Sequence, residues 1–527
     1  MVMGSSAASY ADVTSENNVE AIDVLQAVGI MVGDENGNFN PDQNVTRNEM
    51  AVVMSNLMAY NVASYRDTSP FTDVPSWAEP YVAACYTNGI TAGTSATTYG
   101  GSENVTTAQA ALMVMKALGY FQYQQDFGDE WQLATVAQGN RIDLFTDVDS
   151  GVREAMTRND VAQLVLNALE AGTVEATTNG SITVGGVTIA NSVEYNYVTS
   201  TQEYARTIHM DRSTTDYTDA GSYIVELGEK LYQGDLTLDS AEGEPNGAKA
   251  PNLDVFGRPA NTWEYQAKEI GTYADGADYV FTDKVTSKEL YDVVGSTAAS
   301  RNYAWTVTVD GETVPYDGVD LNDNKTDNND DFLQYAGFAR QYRTGNGVRT
   351  NVYVDGTNRT VYVSLTHYYA AEVDKVEDDY ITLSNVNSYA DYENVADSND
   401  EFETTDEFAA DDVVIYSFAD GEIREVYAAE SLEGEISRVR NDSRDENGDY
   451  FDIDGTRYNY NATVDDDGRL VTENVGNDMV GYLDQYGYAI YIDESAITYD
   501  YAYVLSMNGD DDQFGGNDKT WYARLVL

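Results

Sequence analysis

Thr46-Arg47-Asn48-Glu49, Thr106-Thr107-Ala108-Gln109 and Thr157-Arg158-Asn159-Asp160 are three copies of one phrase. The same apolar spacing follows each. At the fourth, seventh, eighth, eleventh and twelfth positions after the threonines stand Met50, Val53, Met54, Leu57 and Met58; Ala110, Met113, Val114, Ala117 and Leu118; and Val161, Leu164, Val165, Ala168 and Leu169. A threonine that accepts from the backbone three residues on, with an acid or amide there reaching back, is a capping box. The run behind it is one face of an amphipathic helix. The phrase predicts helices opening at 46, 106 and 157, and its recurrence marks the first third of the chain as a repeat.

Working outward, each of the first two helices has an upstream partner. Val19, Ile22, Leu25 and Val28 are spaced by three, and Gly29 follows where a helix end favours a left-handed residue. In the second copy Val82, Cys85, Gly89, Ile90 and Gly93 stand for Ile22, Leu25, Gly29, Ile30 and Gly33. A polar turn, 34–42, joins the first pair. Tyr10-Ala11-Asp12-Val13 precedes it, and Phe71-Thr72-Asp73-Val74 with Trp77-Ala78 precedes the second.

These residues resemble the S-layer homology family, whose repeats run Phe-x-Asp-Val, Trp-Ala, apolar helix, Gly-Ile-x-x-Gly, Asp-Gly-x-Phe-x-Pro, Thr-Arg-x-Glu. Gly29, Ile30, Gly33, Asp34, Gly37, Phe39, Pro41, Thr46, Arg47 and Glu49 follow that pattern in one pass. The third copy is degenerate. Trp131 opens its first helix, but Phe145-Thr146-Asp147-Val148 falls between its helices, and the Gly-x-Phe-x-Pro phrase is missing. The resemblance covers about residues 9–172. It implies an all-α, three-repeat bundle with pseudo-threefold symmetry, located extracellularly on the bacterial surface, that binds the secondary polysaccharide of the cell wall, often a pyruvylated sugar, in grooves between repeats. The family's binding arginine falls on Arg47 and Arg158, and in the second copy that position is Thr107. Thr46, Thr157, Glu49, Asp160, Gly33, Gly93 and Trp77 complete the expected polymer-binding set.

The residues carry this chemistry on their own terms too. Arginine in the first turn of a helix opposes the helix dipole, at roughly 0.3–1 kcal/mol. A helix N-terminus attracts anions through its free N–H groups, and a guanidinium beside it makes a bidentate seat for a carboxylate. A surface arginine paired with a nearby acid reads equally from the residues alone. Thr107 makes no charge-assisted contact, so its groove is expected to be weak or silent.

Ninety acidic against 29 basic residues give a formal charge of −61, which argues against nucleic acid as a partner. Divalent cations, a basic partner or plain solvation relieve the self-repulsion. The single cysteine, Cys85, allows no intrachain disulfide and reads as a core residue. His209 and His367 are the only histidines, too few for a His-rich metal site or an expected Ser-His-Asp triad. No membrane-spanning run is present. Residues 1–8 read either as the remnant of a secretory signal or as an ordinary terminus.

After residue 173 short alternating runs separated by Asn-Gly, Asp-Gly and Gly-Gly take over, the texture of mostly β domains. Ser181–Val184 and Val187–Ala190 read as a hairpin. The stretch 254–259, with Trp263 behind it, reads as an ordered turn. Asp412-Val413-Val414-Ile415-Tyr416 and Asp478-Met479-Val480-Gly481-Tyr482 open matched segments, preceded by the matched segments 371–376 and 434–439. The expected organisation is 9–172 helical; 173–345 mixed, mainly β; 346–430 and 431–496 as tandem small barrels or sandwiches; and 497–527 as a partial unit of a chain that continues. Val352 and Val361 are read as the end of an earlier relative.

Asp320, Asn322, Asn324 and Asp331 occupy positions 1, 3, 5 and 12 of an EF-hand-like loop, but Lys325 replaces the glycine at position 6. Calcium there, or a solvated loop, are the two readings; 445–449 and 510–512 are similar turns. No nucleophile elbow, P-loop or zinc motif occurs, and so acidic a chain makes any choice of a glycosidase carboxylate pair arbitrary. The expected function is therefore a wall-anchored surface protein, not an enzyme, whose β units self-assemble into an S-layer or similar array. The alternative is an anchored hydrolase or a carbohydrate- or adhesion-type binder.

Overall fold

The computed structural model describes residues 10–123, 126, 130–178, 181–184, 187–190, 193–208, 222–243, 249–300, 302–377, 380–389, 391–392, 395–398, 400–404, 407–441, 448–498, 503–510 and 520–526. The expected signal remnant, His209, most of the 445–449 turn and the 511–512 part of the last acidic turn lie outside them. The chain is multidomain, with helices in its N-terminal region and a mostly β C-terminal region of barrel-like sheets. It divides into one unit of residues 1–254 with 258–276 and another of 255–257 with 277–527. No helix among the described residues is long and apolar enough to cross a membrane.

In the first unit α1 (Val19–Ala27), α2 (Arg47–Leu57), α3 (Glu79–Thr87), α4 (Thr107–Leu118), α5 (Trp131–Gly139) and α6 (Arg158–Glu170) follow one another. The cap acts as the phrase predicts for α2 and by half for α4. Thr46 and Thr106 hold extended backbone; Thr46 and Glu49 exchange reciprocal bonds, while at α4 the Thr106 N–H donates to Gln109 Oε1 at 3.1 Å and the Thr106 hydroxyl makes no cap bond. Thr157 caps α6 through the Asp160 amide at 3.1 Å. Aspartate is one methylene shorter than glutamate, and its carboxylate turns instead to the Asp149 N–H (3.3 Å) and the Ser150 hydroxyl. Gly29 and Gly89 take φ +74° and +75° after α1 and α3, the left-handed geometry their position requires.

The residues just before the three caps close a ring. Val45 N–H donates to Met156 C=O at 2.9 Å, Met156 N–H to Val105 C=O at 3.0 Å, and Val105 N–H to Val45 C=O at 2.9 Å. All three side chains are buried, so their backbone groups need such partners. Antiparallel bridges flank the ring at Asn44–Thr157, Thr46–Asn104 and Thr106–Ala155. Ile22, Leu25, Met50, Met54, Val114, Leu164 and Val165 fill the core behind it. Cys85 belongs to that core, with its thiol 3.3 Å from Ser55 Oγ, and burial pushes it up to about 11.

The rest of this unit is mainly strand. β1 (Val174–Thr178) pairs with β4 (Val193–Tyr197), and β2 (Ser181–Val184) with β3 (Val187–Ala190), the hairpin expected from sequence. β5 (Thr199–Ser200) meets β6 (Tyr223–Ile224), followed by α7 (Leu227–Tyr232). β7 (Leu236–Asp239), β8 (Ala260–Tyr265) and β9 (Lys268–Ala274) form a three-stranded sheet that packs on α1. The ordered turn before β8 is closed by a buried ion pair, Arg258 Nη2 to Asp254 Oδ2 at 2.5 Å.

In the second unit β10 (Tyr279–Phe281), α8 (Ser287–Ala298), β11 (Ala304–Val309), β12 (Glu312–Val314), α9 (Phe332–Tyr335), β13 (Arg349–Asp355) and β14 (Thr360–Thr366) build a sheet ordered β10-β13-β14-β11-β12, with β11 and β14 parallel. This sheet spans the expected break at 345/346. Val352 and Val361 lie in it, and its parallel β11–β14 pair sets it apart from the two later units, whose described strands pair antiparallel.

The two later sheets share one topology. β15 (Tyr369–Val376), β16 (Tyr380–Asn385), β17 (Glu401–Glu403), β18 (Val413–Ala419) and β19 (Glu422–Ala428) are ordered β17-β16-β15-β18-β19. β20 (Glu430–Arg440), β21 (Tyr450–Ile453), β22 (Thr456–Asn459), β23 (Asp478–Leu483) and β24 (Ala489–Thr498) repeat this as β22-β21-β20-β23-β24. Even the bulge recurs, between Val373 and Lys375 in one and Ile436 and Arg438 in the other. β25 (Tyr503–Asp510) and β26 (Thr520–Val526) form a further antiparallel pair.

Candidate functional site

The helix starts of the first unit are docked in a cycle. Arg47 and Asn48 N–H donate to Glu103 and Gly101 C=O, Thr107 and Ala108 to Glu154 and Val152, and Arg158 and Asn159 to Gln43 and Pro41. Each first turn thus rests on the loop that leads to another capped helix, which makes three equivalent junctions. These bonds align Pro41, Gly101 and Val152, and two places earlier Phe39, Tyr99 and Ser150.

Two of the junctions hold an arginine over an aromatic ring. The Arg47 guanidinium carbon lies 4.7 Å from the Tyr99 ring centre, and Nη2 donates to Ala92 C=O at 3.0 Å. Arg158 lies 4.6 Å from the Phe39 ring centre, with Nε on Phe39 C=O at 2.7 Å and Nη2 on Val32 C=O at 2.9 Å. Val32 and Ala92 each precede the glycine of Gly-Ile-x-x-Gly, so the two guanidinia occupy equivalent places. They differ in satisfaction. Arg47 is only 7 % exposed and its Nε is buried without a partner among the described atoms. Arg158 spends Nε on a carbonyl; burial pulls its guanidinium below the ordinary value, while the charges of Glu49, Tyr10, Asp12 and Asp34 pull it back.

The third junction lacks both halves of this arrangement. Thr107 is buried, and its hydroxyl reaches the carbonyls of Gly151 (2.9 Å) and Ser150 (3.2 Å). Where the others present a ring, this one presents Ser150.

The remaining expected residues divide by role. Thr46 and Glu49 are joined to each other at 2.7 Å. Thr157 and Asp160 cap α6 as described above. Gly33 and Gly93 make room: a Cβ would stand 2.3 Å from Tyr10 Cε1 in one and 2.3 Å from Phe71 Cε1 in the other. Gly33 N–H also donates to the Tyr10 hydroxyl at 2.7 Å. Trp77 is 55 % exposed, one residue before Ala78 at the start of α3.

Asp12, Asp73 and Phe39 stand in the repeat motifs with no role read for them, and Tyr99 goes unmarked in the sequence. Asp12 takes Phe39 and Asn40 N–H at 2.8 and 2.6 Å, and Asp73 takes Tyr99 and Gly100 N–H at 2.8 Å each. These bonds fix the aromatic residue under each arginine. The Tyr99 amide bond, with help from Gly100 and Arg47, holds the Asp73 carboxyl below the usual carboxylate range. The signal was available: superposing the copies on Pro41 and Gly101 brings Phe39 and Tyr99 together.

The calcium reading of 320–331 meets a physical obstacle. Asp331 is 1 % exposed and caps α9, taking Leu333 and Gln334 N–H on Oδ1 at 2.8 and 3.0 Å. Its Oδ2 takes the Thr344 N–H at 3.1 Å and the Thr344 hydroxyl. The twelfth position of the loop is therefore spent on the fold. Among the described residues no group of three or more His, Cys, Asp or Glu is placed to hold a metal ion.

The family model of the S-layer homology domain matches residues 9–51 and 70–111. A surface-layer 125 kDa protein of Lysinibacillus sphaericus is 29 % identical over 152 residues, 28 % of this chain and 12 % of that protein. A middle cell wall protein of Brevibacillus brevis is 25 % identical over 155 residues, 29 % of this chain and 14 % of that one. An endoglucanase of a Bacillus species is 28 % identical over 116 residues, 21 % and 12 % of the two chains. The chain thus spans 12 to 14 % of the length of these relatives. It carries S-layer homology domains and is an extracellular protein of the cell surface.

Proposed function

We propose that the first unit tethers the chain non-covalently to an anionic polysaccharide of the cell wall, and that the two junctions carrying Arg47 and Arg158 are where the polymer sits. The three helix-opening phrases are read here as three repeats of one all-α module over residues 9–172. The observation that carries the reading is Arg47: a guanidinium buried over Tyr99 at a helix start, with an Nε that no described residue satisfies. Burying a charged donor without a partner is costly, and an anionic ligand such as a pyruvyl carboxylate supplies one. The free N–H groups of the helix start add to the attraction. The third junction, with Thr107 and Ser150, contributes little.

The recurrence of one strand order and one bulge in two successive sheets favours a structural role for the β region. It is read as the body of an S-layer or similar array, with the likeness to surface-layer and cell wall proteins in support. The test is retention on purified sacculi with and without their secondary polymer. Retention should require the polymer and fall at least tenfold in Arg47→Ala/Arg158→Ala, with the fold checked by circular dichroism. Equal retention of parent and variant would sink the assignment. Electron microscopy then separates the two readings of the β region: two-dimensional sheets support an array, and persistent monomers an anchored binder or hydrolase.

A further inference from the structure

His367 and Tyr368 are the two residues between β14 and β15, where one five-stranded sheet gives way to the next. Both are fully buried. The His367 backbone N–H donates to Asp310 Oδ1 at 2.7 Å, and Nδ1 lies 2.9 Å from Asp310 Oδ2. On the other side of the ring Nε2 lies 3.2 Å from the Arg343 carbonyl oxygen. Asp310 sits at the turn between β11 and β12, and Arg343 on the segment leading into β13. Three parts of the second unit therefore meet on one imidazole.

Both ring nitrogens face oxygens that only accept. A backbone carbonyl has no proton to give, and neither has an ionised carboxylate. Satisfying both takes two N–H groups, that is, an imidazolium, with Asp310 as its countercharge. The Tyr369 hydroxyl of β15 bonds the same Asp310 oxygen at 3.3 Å, and the Tyr392 ring lies 5.4 Å from the imidazole. Glu312 of β12 and Tyr342 line a cavity of about 10 Å³ with Asp310, Tyr369 and Tyr392, room for one water. The nearby cations are committed elsewhere. Arg340 donates to Ala462 and Val464 carbonyls at 2.8 and 2.9 Å and faces Asp465 at 3.8 Å. Arg349 of β13 faces Glu425 of β19 at 3.9 Å, beside Tyr368.

We propose that His367 is a proton-gated clasp whose doubly protonated ring ties the β11–β12 turn to the 340–348 segment and locks the joint between successive β-sheets. Loss of one proton leaves Nδ1–H on the carboxylate, the stronger acceptor, and turns a lone pair of Nε2 toward the Arg343 carbonyl. The segment so released is the one that bonds to the chain just after β22, in the β20–β24 sheet. Asn346 Nδ2 donates to Tyr460 C=O at 3.1 Å, and Ala462 N–H to Asn346 C=O at 2.8 Å. One proton thus bears on three sheets.

The test uses the full chain. Ring nitrogen NMR, assigned with a His209→Gln variant, follows the protonation of His367 from about pH 5 to pH 9. Amide exchange of residues 340–348, corrected for intrinsic chemistry, is followed over the same range. Two ring protons are expected at the acid end and one at the alkaline end. Exchange of the segment should rise in step by roughly tenfold, the factor that one lost hydrogen bond of ordinary strength carries. His367→Gln should abolish the pH step in exchange. The NMR titration of the parent stands even if that variant does not fold. A ring that keeps the same number of protons throughout, or exchange that does not follow its titration, overturns the proposal.

Discussion

Glu20 of α1 takes the indole N–H of Trp263 on Oε1 at 2.6 Å and the Asn261 amide on the same atom at 3.0 Å. Three residues on, Asp23 takes the Tyr273 hydroxyl at 2.9 Å. Two carboxyls thus make polar contacts between α1 and the β7–β8–β9 sheet. Burial pushes Glu20 from 4.5 up to about 8, with Glu170 and Asp275 adding to the rise and the Trp263 and Asn261 bonds opposing it.

The sign of the pH effect follows. A carboxyl whose folded value is raised binds its proton more tightly folded than unfolded. Its contribution is full below about 4.5, declines as pH rises, and is lost above about 8. Urea unfolding monitored by Trp263 fluorescence should therefore show stability falling across that window. Glu20→Gln should remove most of the slope and exceed the parent at the alkaline end by about 1–3 kcal/mol. An unchanged slope in the variant would show that Glu20 is not its source.

Gly33 and Gly93 are predicted to be needed for packing and not for contact with polymer. At Gly33 an added Cβ would meet a flexible ring edge and one carbonyl, Asn38 C=O, at 2.7 Å; at Gly93 it would meet two carbonyls, those of Ser95 and Thr98, at 2.6 and 2.7 Å. Gly93→Ala should cost about 2–4 kcal/mol and Gly33→Ala somewhat less, because a ring yields more easily than backbone. Gly37→Ala, at φ +80° with nothing within 4 Å, serves as the control and should cost about 1 kcal/mol through backbone strain alone. Calorimetric midpoints of the three variants check the order.

The 320–331 loop offers a prediction about calcium. Because both Asp331 oxygens are occupied by Leu333, Gln334 and Thr344, Asp331→Asn should lower stability by about 1–3 kcal/mol. It should leave the calorimetric response to calcium unchanged. Weaker calcium binding in the variant, with its melting point preserved, would restore the loop as a metal site.

How far the sequence could be read depended on how locally each feature is determined. The helix starts were legible because a capping box needs only Thr46 and Glu49, three residues apart. Shared topology in the last two full sheets was legible because the matched segments 371–376 and 434–439 repeat in order. The parallel pairing of β11 with β14 was not, since it joins Val307 to Val363 and leaves no local trace. Asp331 looked like a ligand because spacing cannot show that Thr344 folds back to claim its oxygen. Arg47 and Arg158 were found as residues, but the rings beneath them come from a different copy of the repeat. A reading that treats each copy alone misses such a pair.

That pairing across copies yields the sharpest prediction for the third junction. Thr107 and Ser150 are absent partners of each other: one lacks the guanidinium and the other the ring. Thr107→Arg alone should leave retention on sacculi unchanged, because a guanidinium without a ring has no platform and faces the Ser150 and Gly151 carbonyls that the threonine now bonds. Ser150→Tyr alone should also leave it unchanged, and should lose the hydroxyl contact to Asp160. The double variant combines a cation–π contact, worth roughly 0.5–2 kcal/mol when shielded from water, with a charge-assisted seat for an anion. Measured on an Arg47→Ala/Arg158→Ala background, it should recover part of the lost retention where neither single change does. Recovery by Thr107→Arg alone would show that charge suffices, and that the ring under each arginine serves only the fold.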